Sequence, residues 1–434
     1  MYKYLIRPLE HGIAAQYPSV GIPGTFAPAT KNVRVLRNSI RKRWGYTKDR
    51  DLGANVDIQG VALYQKQDGT RSTIILTDTD ICKREPATGK TFSYLTPIYS
   101  TGTTTSVSGT SVTGNGTLWS ANVSAGDKFI LDADHTSDEE PDASWRTIST
   151  VNSDTSLTLS ASYSGGASGD YRIRKLYSVP SGERWQFCWV GKASGNYFVA
   201  VNGSENAQYW DGDAATMATI DATYGQNARY CRSFGDRLIL ADKNDETNTY
   251  TRNPFLIGWS TISNPVDLDY SDDSSAGRKS FTETGDFITG LGVAGSTLAV
   301  FKRDGVHLGY STDDATWPFN FPVFRPGVGC IAPYSIVEAM GTCFWLGEND
   351  FYRLEGDQAI AMGENAIYKI YDVINATEAQ NCWGFVNQLE HEILWAASSS
   401  GGTAQYVFSY DYKYNEWNMG ELADYISAGG IGDI

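Results

Sequence analysis

The sequence is poor in the residue types that most active sites need. Its four histidines, His11, His135, His307 and His391, are scattered, and none has H-E-x-x-H or H-x-E spacing. No G-x-S-x-G elbow, P-loop or dinucleotide fingerprint occurs. Paired acids such as Asp272-Asp273 and Asp313-Asp314 fall in apparent turns and define no acid–base couple by themselves. The six cysteines, at 82, 188, 231, 330, 343 and 382, show no C-x-x-C or other zinc spacing. They are too sparse for a disulfide scaffold, so they read as buried free thiols of a protein made in a reducing cytoplasm. No apolar run approaches the roughly 18 residues of a membrane helix. The first dozen residues, MYKYLIRPLEHG, lack a signal-peptide core. The expectation is a soluble chain that is not an enzyme and holds no cofactor or metal.

Aromatic residues are abundant at 13%, and 44 glycines stand against 14 prolines, a mixture that favours strands and tight turns over helices. Hydrophobic residues at 41% and charged residues at 20% are an ordinary globular balance. The formal charge is −15, which disfavours gripping nucleic acid over the whole surface. Residues 31–50 depart from that balance with eight basic residues and one acid, a local +7 against −22 for the rest.

A short pattern recurs: an apolar run, a polar turn, then a shorter aromatic-rich strand. Its copies begin at Ser72, Asn196, Asp236, Ser296, Thr342 and His391. Successive starts lie 40 to 60 residues apart except the first gap of 124, which contains a compositionally distinct stretch. Removing that stretch leaves about 50, the period of a β-propeller blade. The runs 74–76, 198–201, 238–241, 298–301 and 393–396 are apolar at consecutive positions, as in strands buried on both faces. Upstream segments 59–64, 185–190, 288–294, 335–340 and 383–387 are candidates for the innermost strands. The expected fold is all-β, a propeller of about six to seven blades, with a sandwich of unrelated hairpins as the competing fold. Residues 424–431 echo 286–293, which suggests a further inner strand closing the ring with the segment around 32–37. Ile367, Ile370, Tyr371 and Ile374 have helical spacing and predict one short connector helix.

Residues 101–175 open on a tract of Thr, Ser, Gly and Val and carry short strand-like pieces between turns. They read as a small β-barrel or sandwich inserted in a blade loop. The division is an N-terminal segment and first blade at 1–100, the insert at 101–175, and the other blades at 176–434. The acidic loop 132–142 lacks calcium-loop spacing and reads as solvated. Ser311 to Trp317 resembles a shortened Asp-box hairpin, a turn element in sialidase-type propellers.

The basic stretch intersperses charge with apolar residues, as in a half-exposed strand. Arg34, Arg37, Arg41, Lys42 and Arg43 are the candidate interface residues. Solvated surface, docking on an acidic partner and contact with nucleic acid are all open readings.

Several phrases occur in a particular order. Asn32-Val33 leads to Arg41-Lys42-Arg43-Trp44-Gly45-Tyr46, then come Gly329-Cys330-Ile331-Ala332-Pro333-Tyr334-Ser335 and Phe344-Trp345-Leu346-Gly347. Asp350-Phe351-Tyr352-Arg353-Leu354-Glu355-Gly356 and Tyr410-Asp411-Tyr412-Lys413-Tyr414-Asn415-Glu416-Trp417 complete the set. Over most of 30–425, outside the insert, this resembles the β-propeller tail proteins of short-tailed bacteriophages, called nozzle, tail-hub or packaged-DNA stabilisation proteins. The resemblance implies a virion protein made in the bacterial host cytoplasm. It implies a ring, usually a homohexamer, docked on head-to-tail connector or adaptor proteins and carrying tail fibres or tailspikes. Genomic DNA would pass through without specific binding, and a carboxylate-lined channel would repel it suitably. The resemblance supplies no catalytic residues. Alternative readings are a carbohydrate- or receptor-binding propeller on the virion surface and, further off, a glycosidase.

Overall fold

The structure is a computed structural model. It describes residues 33–36, 39–42, 57–84, 92–135, 144–192, 195–221, 223–224, 227–247, 250–270, 275–312, 314, 317–363, 370–371, 373–374, 378–398 and 404–426.

Six four-stranded antiparallel sheets follow one another along the chain, each built from one continuous segment. Blade one comprises Ile58–Gln65, Arg71–Thr77, Ile81–Arg84 and Phe92–Tyr94. Blade two comprises Gln186–Lys192, Gly195–Val201, Gln208–Trp210 and Ala218–Thr219. Blade three comprises Tyr230–Phe234, Arg237–Asp245, Thr251–Trp259 and Gly277–Ser280. Blade four comprises Ile288–Ala294, Thr297–Lys302, Gly305–Ser311 and Phe319–Pro326. Blade five comprises Val337–Ala339, Thr342–Leu346, Phe351–Glu355 and Gln358–Ala361. Blade six comprises Trp383–Asn387, Glu392–Ala397, Ala404–Asp411 and Glu416–Ile426. The fold is a six-bladed β-propeller.

Every apolar run is the second strand of its blade. Alternate residues of that strand face the two neighbouring blades, so both faces must be apolar. Ile74 and Leu76 pack with Phe198 and Trp210 between blades one and two. Val199 and Val201 meet Leu238 and Leu240 between blades two and three. Ile239 and Ala241 meet Leu298 and Val300 across the next joint. Ala299 and Phe301 meet Cys343 and Trp345, and then Phe344 and Leu346 meet Ile393 and Trp395. Among the described residues no such cluster joins blade six to blade one. The blade-six face turned away from blade five instead carries Glu392, Asp411 and Glu416 in one cross-strand row, all buried. All six cysteines are buried free thiols.

Three expectations need correction. Residues 424–426 are not an inner strand; they end the outermost strand of blade six, where Ile426 pairs with Ala404. Residues 427–431 lie outside the described residues. Among the described residues no strand is shared to close the ring, and blades one and six each have four strands from one continuous segment. Val33–Leu36 does lie beside Glu416–Ile426, but its ladder partner is Ser39–Lys42. The innermost strand of blade three, Tyr230–Phe234, was not among the anticipated segments. The expected connector helix is helical at 370–371 and 373, with Ile370 and Ile374 buried against blades five and six. Its other positions lie outside the described residues. In the Asp-box-like turn, Thr312 Oγ1 donates to the Trp317 carbonyl, and Trp317 N–H to Asp314 Oδ1 at 3.2 Å. Asp313, Ala315 and Thr316 lie outside the described residues.

Between blades one and two the chain forms a seven-stranded sheet running from Ile98–Tyr99 to Tyr171–Arg174. A bridge between Thr104 and Gly169 curls its far strand back towards Tyr171–Arg174, in the manner of a barrel. Its own core gathers Val112, Trp119, Phe129, Ile148, Leu157 and Tyr171. Of the acidic loop 132–142, Asp132 pairs with Arg172 at 2.5 Å and Asp134 accepts from Tyr163 and Gly166 at 2.8 Å. Residues 136–142 lie outside the described residues.

Candidate functional site

The inner strands converge on an axial cavity of about 590 Å³, lined from blades one, two, three, five and six. An ion pair crosses it. Arg232, in the inner strand of blade three, places Nε 2.9 Å from Oε1 of Glu338 in blade five. Its Nη1 donates to Gln186 Oε1 of blade two at 3.3 Å, and Glu338 Oε1 also accepts from Val293 N–H of blade four at 2.9 Å. One pair thus ties four blades together. Burial disfavours the Arg232 cation, but Glu338 and the neighbouring thiols outweigh it and hold the guanidinium above its ordinary pKa.

A second chain of charge rings the upstream ends of the inner strands. Arg184 N–H donates to Tyr334 OH at 2.7 Å, and Tyr334 OH donates to Glu183 Oε2 at 3.1 Å. Glu183 Oε1 is 2.7 Å from Arg229 Nη1, and Arg229 Nε is 3.7 Å from Asp242. The Arg184 guanidinium lies over Trp383, 5.5 Å from the ring centroid. Burial lowers its pKa, and Asp57 and Tyr334 act in the opposite direction. Tyr334 is pushed far above the ordinary phenol range by burial and then by Glu183, so it stays neutral. Two arginines and one glutamate line the cavity, so its polar walls are not acidic.

The interface residues anticipated from sequence fall elsewhere. In the hairpin formed by Val33–Leu36 and Ser39–Lys42, Arg34 is in register with Arg41 and Val33 with Lys42. Arg37 and Arg43 lie outside the described residues. Val33–Leu36 lies beside the outermost strand of blade six. Arg232, Glu338 and Arg184 gave no local signal, because only convergence of distant strands brings them together. Among the described residues no cluster of three or more His, Cys, Asp or Glu has a metal-binding arrangement.

No family model matches the chain and no curated protein matches it. Solved structures match at low identity. BamB from Moraxella catarrhalis is 9% identical with a TM-score of 0.30, and the alignment covers 56% of this chain and 62% of that one. The computationally designed Ika8 protein is 8% identical with a TM-score of 0.37, over 88% and 92% of the two chains. Raptor from Chaetomium thermophilum is 10% identical with a TM-score of 0.37, over 59% of this chain and 22% of that one. The chain thus spans less than two thirds of the BamB and Raptor chains. These likenesses carry no argument about activity.

Proposed function

We propose that the chain is a structural subunit of a short phage tail, a nozzle or hub that extends the head-to-tail channel, helps retain packaged DNA and conducts it at ejection. The observation that carries this reading is the ordered set of phrases from Asn32 to Trp417, running over a six-bladed propeller with a small β-domain between blades one and two. In this reading six copies form the ring, and DNA follows the axis of the ring rather than the axis of each propeller, which the Arg232–Glu338 pair crosses. Connector proteins bind on one side and fibres or tailspikes on the other. The location is the virion, and no catalytic role is assigned.

A second reading, a carbohydrate- or receptor-binding propeller, is favoured by Trp317, which is 65% exposed at a blade-four turn. Labelling the chain with a small tag and imaging virions by electron microscopy separates the two. A ring of label directly below the connector is expected. Label at fibre tips or on the capsid would overturn the tail-ring reading, and glycan-array binding lost in Trp317→Ala would favour the second.

A further inference from the structure

His307 lies in the third strand of blade four, Gly305–Ser311. Its partner in register on the outermost strand, Phe319–Pro326, is Phe324. The imidazole sits between two rings, its centroid 4.5 Å from that of Phe324 and 4.7 Å from that of Phe281, in the connection that enters blade four. Phe281 in turn meets Phe321 of the outermost strand edge-to-face at 5.0 Å. Only Phe319 of that strand is fully buried, so the aromatic stack is one of its few side-chain attachments to the blade.

His307 is 6% exposed, and its Nε2 has no hydrogen-bond partner among the described residues. A neutral imidazole can leave one ring nitrogen as a bare acceptor, whereas an imidazolium carries two N–H donors and a charge that both need partners. The surroundings are poorly suited to that charge. On the second strand of the blade Lys302 is fully buried, and Lys279 of blade three lies over the Phe281 ring at 5.4 Å. In the entering connection Asp286 is 3.2 Å from Lys302, and Glu283 is exposed. On the outermost strand Arg325 pairs with Asp357 at 2.5 Å. Burial pushes the His307 pKa below its ordinary value; Glu283 and Asp286 act upward, and Lys302 and Lys279 downward.

We propose that His307 is an acid-sensitive latch: neutral, it holds the outermost strand of blade four through the Phe281–His307–Phe324 stack, and on protonation it releases that strand. An unfolded or released histidine titrates near 6.5, so the latch is fully closed above about pH 6.5 and weakens as pH falls below it. The latch does not depend on the tail reading.

Two measurements on the full chain test it. Histidine-selective isotope labelling gives four signals, assigned by replacing His11, His135 and His391 in turn with Gln. The His307 signal should titrate below the ordinary value of about 6.5. Hydrogen exchange read by mass spectrometry, corrected for its intrinsic pH dependence, should rise severalfold in 319–326 between about pH 7.5 and pH 5, with a ceiling of about thirtyfold set by the ordinary histidine pKa. Exchange in Thr297–Lys302, the second strand, should stay unchanged. His307→Phe keeps a ring and removes the charge, and should make exchange in 319–326 independent of pH. If that variant does not fold, the titration and the exchange of the unsubstituted chain decide. A His307 pKa at or above about 6.5, exchange in 319–326 that does not rise on acidification, or a rise that persists in folded His307→Phe would overturn the proposal.

Discussion

Single residues fix the propeller through buried polar contacts between distant segments. Lys302 is fully buried, donates to the carbonyls of Phe281 at 2.9 Å and Thr284 at 3.1 Å, and lies 3.2 Å from Asp286. Lys302→Met would leave Asp286 without its counter-ion, and breaking such a pair costs about 3–5 kcal/mol. A fall of that size in urea-unfolding free energy is expected, with much of it recovered when Asp286→Asn is added. An unchanged midpoint would show the pair to be dispensable. Asp245 in blade three supplies a pH signature. Burial pushes its carboxyl up, but hydrogen bonds from Thr247 and Asn253 and the Arg278 guanidinium outweigh it and hold the pKa at about 2. The unfolded carboxyl titrates near 3.9, so this stabilisation is complete above about pH 4 and disappears as pH falls towards 2. Asp245→Asn should flatten that part of the acid-unfolding curve and leave the slope at neutral pH unchanged.

At the level of elements, the second strands were legible because a strand sandwiched between blades must be apolar on both faces. The edge strands carry no such constraint. Ala218–Thr219 and Gln358–Ala361 are largely exposed, and sequence pattern says little about them. The inner strand Tyr230–Phe234 was missed because its apolar residues are interrupted by Arg232 and Ser233, which face the cavity. The phrase at 329–335 has a packing reason. A Cβ on Gly329 would come within 2.0 Å of the Arg303 carbonyl, so only glycine fits. Ser335 accepts from Leu346 N–H through its hydroxyl at 2.9 Å and from the Trp395 indole through its carbonyl at 2.9 Å. Such phrases therefore report how blade corners are tied, while the axial site, assembled from separate blades, leaves no phrase at all. The inserted sheet is attached to blade one where the chain leaves and re-enters it. Lys175 N–H donates to the Pro97 carbonyl at 2.9 Å, and Arg174 reaches Asp80 of blade one at 3.3 Å. Because Ile98–Tyr99 belongs to that sheet, the cut belongs at Pro97 rather than Ser100. Joining Pro97 to Lys175 through a short Gly/Ser bridge, with Asp80→Asn to remove the stranded carboxylate, should leave a cooperatively unfolding propeller by circular dichroism. Loss of β-structure would make the insert part of the propeller's folding unit.

For the whole molecule the dominant quantity is charge asymmetry, +7 in residues 31–50 against −22 elsewhere. The hairpin from that segment lies along blade six, beside the strand that contributes Glu416 to the buried acidic row. Ring closure was illegible because it is not an apolar repeat among the described residues. In the proposed ring the basic segment docks on an acidic neighbour or on the connector. In that reading exchanging Arg41, Lys42 and Arg43 for Glu leaves the monomer folded, since a surface charge contributes about 0–1 kcal/mol. Tail attachment should then fail or become strongly salt-sensitive. Normal assembly at low and high salt would make these residues plain surface, and loss of folding would assign them to closure of their own propeller. Cyclic assembly uses one heterologous interface repeated around the axis, so stoichiometry is the direct readout. Quantitative mass spectrometry of purified virions measures it against a connector protein of known copy number. Six copies per particle, or another ring multiple, is the expected result. One or two copies, or absence from the particle, would contradict a tail-ring subunit.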